Sequence, residues 1–347
     1  MADATPVTAS PTSDVDGSQV GSGAHQLPKR FRKHLLAEKL LSKGSAVVVG
    51  VSGRSDSVAL LHLLQGIAAE QNLRLVTTHV QHGEDPERAS DANFVHDLAE
   101  RLNLQFDLFV DDKPAPDESS RATARSRHFE RVRARVHAGA TTTGETLDHS
   151  AEEFLEALVR DDAMPHLRRR PDEPSVRPLL PFTHEECRTF LTGRGLEFLR
   201  DPDVLSPKTT RKKLRLLILP LLRRHVEHSA LENLAAASRL LADDEDVLRE
   251  IAKAARSETG WTQTESGVSL DHRRWSALPA ALRRRLLAEA ANSVSAPLSR
   301  SELLDLDARC RSPHPDYPAT VGALNITLTR GMLFLSSPEL LAIRFPE

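Results

Sequence analysis

The sequence is poor in the residues that cross-link small proteins or anchor a chain in a membrane. Only two cysteines occur among 347 residues, Cys187 and Cys310, and neither belongs to a CxxC motif. This count excludes a disulfide framework and a cysteine-based zinc site, and it favours a reducing compartment such as the cytoplasm. No run reaches the roughly 18 apolar residues that a membrane span needs, so no membrane association is expected.

Aromatic residues are also scarce, and neither sign of charge dominates. Phe, Trp and Tyr make up 4% of the chain, so contact with a nucleic acid would depend on arginine more than on ring stacking. The 46 basic and 49 acidic side chains give a net charge of −3. This balance excludes a polycation but allows a local basic patch.

The first 28 residues have the composition of a disordered tail. Most of them are small, polar or proline, and they include no aromatic residue, so they cannot bury enough apolar surface to fold alone. They also lack the basic start and apolar run of a signal peptide. We expect a disordered tail over residues 1–28 and an amphipathic helix beginning near Lys29.

Apolar runs with strand periodicity then alternate with helical patterns. At roughly 150 residues per domain, the length favours two domains. Strand, helix, strand at this pitch predicts an α/β fold with a doubly wound, mostly parallel sheet over residues 29–228. A smaller, mainly helical domain is expected over 229–347, ending in a strand pair. The strands are predicted at 46–51, 73–80, 106–110 and 140–146, and the pair at 323–335.

A polar loop connects the first predicted strand to an apolar helix. At the carboxyl end of a parallel strand, such a loop presents backbone N–H groups and a helix N-terminus to an anion. The loop is neither a Walker A sequence nor a GxGxxG motif. A polar turn that only caps the helix is the alternative. The candidate phosphate-binding residues are Ser52, Gly53, Arg54, Ser55, Asp56 and Ser57.

This loop resembles the SGGxDS motif of the PP-loop ATP pyrophosphatases, and the chain is most similar to the tRNA(Ile)-lysidine synthase family among them. The likeness extends over about residues 30–340 and rests on several motifs in the same order. These are HVQHG at 79–83, Arg125 on a basic helix before Phe129, TGETLDHSAE at 143–152, RPLL at 177–180, and Asp201-Pro202 followed by Arg211 and Arg215.

Several family positions are altered in this chain. Arg54 stands where the motif has its second glycine, and its side chain either blocks the approach of pyrophosphate or pairs with phosphate oxygens. Glu145 replaces a histidine and His149 replaces the second aspartate of the fourth-strand motif. Val204 and Lys212 stand where the family has asparagine.

The resemblance implies ATP and Mg²⁺ as cofactors. Asp56 and Asp148 follow the first and fourth strands, so both should lie at the carboxyl edge of the sheet as catalytic carboxylates and metal ligands. Arg125 is the candidate for neutralising charge as pyrophosphate leaves. The structural alternatives are a helix cap for Asp148 and a solvated helix face for Arg125.

A basic segment follows the altered DP motif. Residues 204–224 carry seven lysines or arginines and no acidic residue, a composition suited to a phosphate backbone, although most basic runs are only solvated helix faces. The predicted RNA contacts are Lys208, Arg211, Lys212, Lys213 and Arg215.

The reaction that the family resemblance implies has two steps. ATP adenylates the C2 oxygen of the wobble cytidine in an isoleucine tRNA, and the ε-amino group of free lysine displaces AMP to form lysidine. The partners are therefore tRNA(Ile) and lysine, and a homodimer is considered. The alternative is a relative that binds tRNA without turnover. A tRNA thiolase fits less well, because its cysteines are missing.

Overall fold

The strand that follows the predicted first helix is entirely buried, because it is the middle of a parallel sheet. The computed structural model describes residues 17–83, 86–111, 118–160, 175–200, 209–264, 267–311 and 318–337. These form two units, Met1–Glu152 with Arg169–Ala235 and Glu153–Arg168 with Ala236–Glu347. The division after Ala235 lies inside a helix, whereas the sequence predicts it after residue 228.

The first part of the chain alternates strands and helices, as predicted. Its elements are α1 (Gly17–Ala37), β1 (Ala46–Gly50), α2 (Ser55–Gln71), β2 (Arg74–His82), α3 (Pro86–Arg101), β3 (Gln105–Asp111), α4 (Glu118–Arg135), β4 (Ala140–Thr143), α5 (Leu147–Val159), β5 (Ser175–Val176), α6 (His184–Thr192), α7 (Thr210–Lys213), a π-helical turn (Leu214–Ile218) and α8 (Leu219–His225).

The five strands pair in parallel in the order β3-β2-β1-β4-β5. Alternate residues of β1 face two apolar layers. Val47 and Val49 join the cluster that contains α2, whereas Val48 packs with Val132 of α4 and with Val136, the residue after that helix. Helices on both faces explain why β1 reads as a continuous apolar run. The predicted α/β class and parallel sheet are confirmed.

Two local features differ from the sequence-based expectation. Helix α1 begins at Gly17, inside the stretch predicted to be disordered, and Leu27 is buried beside Phe31. The composition of the segment could not predict this, because a single apolar side chain such as Leu27 is enough to make the tertiary contact. Residues 1–16 of the predicted tail lie outside the described residues. Strand β5 has two residues and was not predicted, because so short a segment has no periodicity.

The second unit contains a second sheet. The chain continues with α9 (Ala230–Glu258), β6 (Thr262–Thr264), β7 (Gly267–Asp271), α10 (His272–Ser276), α11 (Ala280–Ser293), α12 (Arg300–Cys310), β8 (Ala319–Val321), β9 (Leu324–Thr329) and β10 (Met332–Ser336). The predicted strand pair is β9 with β10.

That pair is the centre of an antiparallel sheet with the order β6-β7-β10-β9-β8. Its inner face packs on Trp275 and on Leu286 and Leu287 of α11. Strands β6, β7 and β8 were not predicted; β6 is a fully exposed Thr-Gln-Thr segment, and β8 has only three residues. Among the described residues, no helix is long and apolar enough to cross a membrane.

Candidate nucleotide site

The polar loop connects β1 to α2, and only one of its residues has a conformation that requires glycine. Gly53 has φ +82°, and a Cβ there would lie 2.6 Å from Leu199 Cδ1. Arg54 is the N-cap of α2 in an ordinary extended conformation, with φ −75° and ψ 160°. The conformation therefore requires glycine at 53 and not at 54, so Arg54 imposes no backbone strain.

Hydrogen bonds between the serines fix the shape of this loop. The Ser52 N–H donates to Ser57 Oγ at 3.1 Å, and the Ser57 hydroxyl donates to the Arg54 carbonyl at 3.0 Å. His79 on β2 donates from Nδ1 to the Val51 carbonyl at 2.7 Å. The first amides of α2 have no partners within the helix, so the loop holds a preformed set of donors for an anion.

The Arg54 side chain pairs with protein groups. Its Nη2 donates to Asp91 Oδ2 on α3 at 2.8 Å, and its Nη1 donates to the Arg200 carbonyl. Sequence reasoning anticipated either a phosphate ligand or a steric block at this position, and it had no signal for Asp91, which lies in another helix.

A second glycine brings the loop after β4 against the start of α2. A Cβ on Gly144 would lie 2.7 Å from both the amide nitrogen and the Cα of Ser57. Only a glycine permits this approach, because backbone atoms cannot yield as a flexible side chain can. The contact places α5, which begins at Leu147 and carries Asp148, beside the first turn of α2.

His184 links the two predicted metal-binding carboxylates. Its Nδ1 donates to Asp56 Oδ1 at 2.7 Å, and its backbone N–H donates to Asp148 Oδ2 at 2.7 Å. The hydrogen bond with Asp56 raises the pKa of His184 above its ordinary value. The structure thus brings Asp56 and Asp148 together, and it adds His184, to which sequence reasoning gave no role in the site.

His149, at the altered aspartate position, lies beside the same carboxylate. The Thr146 N–H donates to His149 Nδ1 at 3.2 Å, the Thr146 hydroxyl lies 2.8 Å from the same nitrogen, and Nε2 lies 3.3 Å from Arg215 Nη2. Its Nδ1 is 3.8 Å from Asp56 Oδ2. Burial and the nearby Arg215 lower the pKa of His149 well below its ordinary value. His149 is therefore a neutral group where the family has an anion.

Glu152 anchors the basic segment to this edge of the sheet. Its carboxylate is buried and contacts Arg215 Nε at 2.7 Å and Arg211 Nε at 3.2 Å. Burial raises the pKa of Glu152, and the two arginines oppose that rise. Arg211 and Arg215, predicted as RNA contacts, are thus ion-paired with a buried carboxylate of the site. Charge counting along the chain could not reveal this pairing.

The remaining predicted site residues that the structure describes lie on two helices, α7 and α4. Lys212 is half-buried and Lys213 is exposed on α7, whose N-cap is Thr209. Arg125 is half-buried on α4. Lys208, Asp201-Pro202 and Val204 lie outside the described residues. An ion pair joins two other motif residues, Arg177 of RPLL and Glu145 of the fourth-strand motif, with Arg177 Nε 2.9 Å from Glu145 Oε2.

The donor chemistry at Asp56 and Asp148 fits magnesium. Mg²⁺ is commonly held by one or two carboxylates together with substrate phosphates and water. His184 uses one oxygen of each carboxylate, which leaves a second oxygen on each for a ligand. A separate group of three potential metal ligands, His96, Asp97 and Glu100, is exposed on α3 in the described part of the chain.

Comparison with known proteins identifies the family of the chain. Residues 25–222 match the family model of the ATP-binding PP-loop domain. The chain is 30% identical over 337 residues to the tRNA(Ile)-lysidine synthase of Symbiobacterium thermophilum, covering 90% of this chain and 70% of the relative. It is 36% identical over 233 residues to that of Thermus thermophilus, covering 65% and 44%.

A third relative and a solved structure extend the comparison. The tRNA(Ile)-lysidine synthase of a Synechococcus species is 30% identical over 269 residues, covering 75% of this chain and 81% of the relative. The U34-tRNA thiolase of Methanococcus maripaludis aligns with a TM-score of 0.53 at 17% identity over 63% of this chain and 79% of the thiolase, a likeness of fold. With its PP-loop domain and these relatives, the chain belongs to the tRNA(Ile)-lysidine synthase family.

Proposed function

We propose that the protein forms lysidine in an isoleucine tRNA in an ATP-dependent reaction. ATP adenylates the C2 oxygen of the wobble cytidine with release of pyrophosphate, and the ε-amino group of lysine then displaces AMP at that carbon. This makes the protein a ligase that forms a carbon–nitrogen bond. The observation that carries the proposal is the convergence of Asp56, Asp148 and Glu152 at one sheet edge within a chain of this family.

The first amides of α2 are the proposed triphosphate cradle. Ser55, Asp56 and Ser57 begin this helix at the carboxyl end of β1, and the serine network holds the preceding turn in place. Backbone donors and the positive end of the helix dipole both favour phosphate at this position. The loop therefore needs little reorganisation to accept a nucleotide.

Asp56 and Asp148 are the proposed ligands of Mg²⁺. When bound, the ion would neutralise charge on the triphosphate and on departing pyrophosphate. His184 orients both carboxylates through its side chain and its backbone N–H. These hydrogen bonds therefore hold the carboxylates of Asp56 and Asp148 in position without a bound ligand.

Arginines at this edge are proposed to compensate the charge of the substrates. Arg125 remains the candidate cation for pyrophosphate departure. Arg211 and Arg215 are held by Glu152, and their side chains keep 32% and 29% of their surface exposed. Such half-open guanidiniums can stay paired with Glu152 and still face an anionic substrate such as ATP.

A tRNA-binding protein without turnover is the second candidate. It is favoured by the neutral His149 beside Asp56, because a family carboxylate is missing at the place where charge on the metal site matters. Both candidates share tRNA binding and differ in the consumption of ATP.

Mass spectrometry of isoleucine tRNA incubated with protein, ATP, Mg²⁺ and lysine tests the proposal. Lysidine formation and lysine-dependent release of AMP are expected. Asp56→Asn should abolish both, whereas Asp97→Asn, an exposed carboxylate on α3, should leave both unchanged. Binding of tRNA with no AMP release at any lysine concentration would overturn the lysidine proposal in favour of the binding protein.

A further inference from the structure

We propose that Arg54 and Asp91 form a clasp that positions the nucleotide loop, and that Arg54 is not a phosphate ligand. This inference deepens the proposed function by assigning a role to the residue that replaces a family glycine. It rests on the contacts of the loop with α3 and with the segment 196–200. In the clasp, Asp91 acts through Arg54, so both are positioning residues.

The loop and the 196–200 segment are joined through the backbone. The Leu199 N–H donates to the Gly53 carbonyl at 2.9 Å, and Arg54 and Leu199 form an isolated parallel bridge. The Leu199 side chain covers Gly53 so closely that a Cβ there would overlap it. One bridge of this kind is weak alone, because it lacks the neighbouring hydrogen bonds of a sheet.

The Arg54 guanidinium reinforces that bridge from its outer side. Nη1 donates to the Arg200 carbonyl, one residue beyond the bridge, and Nη2 donates to Asp91 on α3. A single side chain therefore ties three separate stretches of chain together. Glycine at position 54 would leave the bridge without these two bonds.

The charge of the clasp also argues against a phosphate role. Asp91 neutralises Arg54, and both terminal nitrogens of the guanidinium already donate to protein acceptors, Asp91 and the Arg200 carbonyl. A phosphate that recruited Arg54 would have to break a charge-assisted bond to Asp91 and leave that carboxylate beside the anion. The guanidinium is thus committed to the protein.

The clasp also bears on the basic segment. From Arg200 the chain leads to α7, where Arg211 pairs with Glu152, and Arg215 follows in the adjacent turn. The clasp fixes Leu199 and Arg200, the last described residues before this segment, to the loop. Loss of the clasp should therefore affect nucleotide binding more than the chemical step.

Hydrogen exchange at the Leu199 amide and ATP calorimetry test the clasp. In Asp91→Asn the Leu199 amide should exchange about tenfold faster, the loss expected for one charge-assisted bond. The affinity for ATP should fall several-fold, and kcat should stay within about twofold of the wild type while KM for ATP rises. Arg54→Lys retains a cation for Asp91, so it should keep most of the wild-type affinity for ATP that Arg54→Gly loses.

Arg54→Gly and the double variant Arg54→Gly/Asp91→Asn complete the cycle. The double variant should be no worse than Arg54→Gly, because both substitutions remove the same contact. Asp97→Asn on the same helix is the matched control. Tighter ATP binding in Asp91→Asn, as a released phosphate ligand would give, or unchanged Leu199 exchange, would overturn the clasp. The exchange measurement needs no turnover, so failure of the lysidine proposal would leave its result interpretable.

Discussion

Both units of the chain bury a carboxylate between two arginines, but they enclose the arginines to different degrees. In the second unit, Asp307 accepts from Arg283 at 2.9 and 3.3 Å and from Arg284 at 3.1 Å. Arg283 is itself buried, donates to the Leu278 carbonyl and lies over the ring of Trp275. Asp307 and Arg283 are sealed from water, whereas Arg284 keeps 40% of its side-chain surface exposed.

In the first unit, Glu152 is equally buried, but Arg211 and Arg215 both keep about a third of their surface in solvent. Arg215 also contacts His149, which in turn approaches Asp56. An enclosed group of charges holds a fold together, whereas a half-open group can exchange partners with a ligand. The comparison therefore predicts a structural role for the Asp307 group and a role in ligand binding for the Glu152 group.

Asp307→Asn should have the largest effect on stability. Removing the charge leaves the buried guanidinium of Arg283 without its counterion, and breaking a buried pair costs about 3–5 kcal/mol. Urea unfolding monitored by the fluorescence of Trp275 and Trp261 measures this loss. Asp305→Asn, which removes an exposed pair with Arg309, is the control and should cost less than about 0.5 kcal/mol. Equal losses in both variants would mean that enclosure does not matter.

Glu152→Gln should reduce stability less than Asp307→Asn does, and it should reduce activity more. Its two arginines can turn to water, so the loss of stability should be about 1–3 kcal/mol. AMP release should fall about 10- to 100-fold, as when a group that orients a catalytic site is removed. Glu156→Gln, one turn further along α5 in a pair with Arg160, is the matched control. Normal AMP release by Glu152→Gln would mean that the ion pairs of Glu152 with Arg211 and Arg215 have only a structural role.

The sequence predicted what depends on local pattern and missed what depends on contacts between distant segments. β1 and α2 follow from apolar periodicity, and the loop between them from its polar residues. Asp56 and Asp148 could be placed together, because strands of a parallel sheet end at one edge. His184 and the pairing of Glu152 could not, since their partners are far away in the chain and no spacing rule connects them.

Lys212 and Lys213 should carry the salt dependence that their segment contributes to tRNA binding. If Arg211 and Arg215 stay paired with Glu152, replacing the two lysines by alanine should flatten the slope of log K against log salt by about 1.4–1.8. A further change of Arg211 and Arg215 would then add little. Filter binding at several salt concentrations measures the slopes. A quadruple variant whose slope changes by about 3–4 would show that all four side chains contact phosphates.

The smallest expected effect is the pH dependence that Glu152 contributes to stability. Burial raises the pKa of this carboxyl above its ordinary value of 4.5, and Arg215 and Arg211 oppose the rise. Between 4.5 and the raised value, the folded protein retains a proton that the unfolded chain has released, so stability falls as pH rises through this window. Glutamine does not titrate. The difference in unfolding free energy between wild type and Glu152→Gln should therefore shrink as pH rises above 4.5 and become constant above the raised pKa. Urea unfolding at closely spaced pH values measures that difference, and parallel curves for the two proteins would mean that the arginines fully offset the effect of burial on the pKa of Glu152.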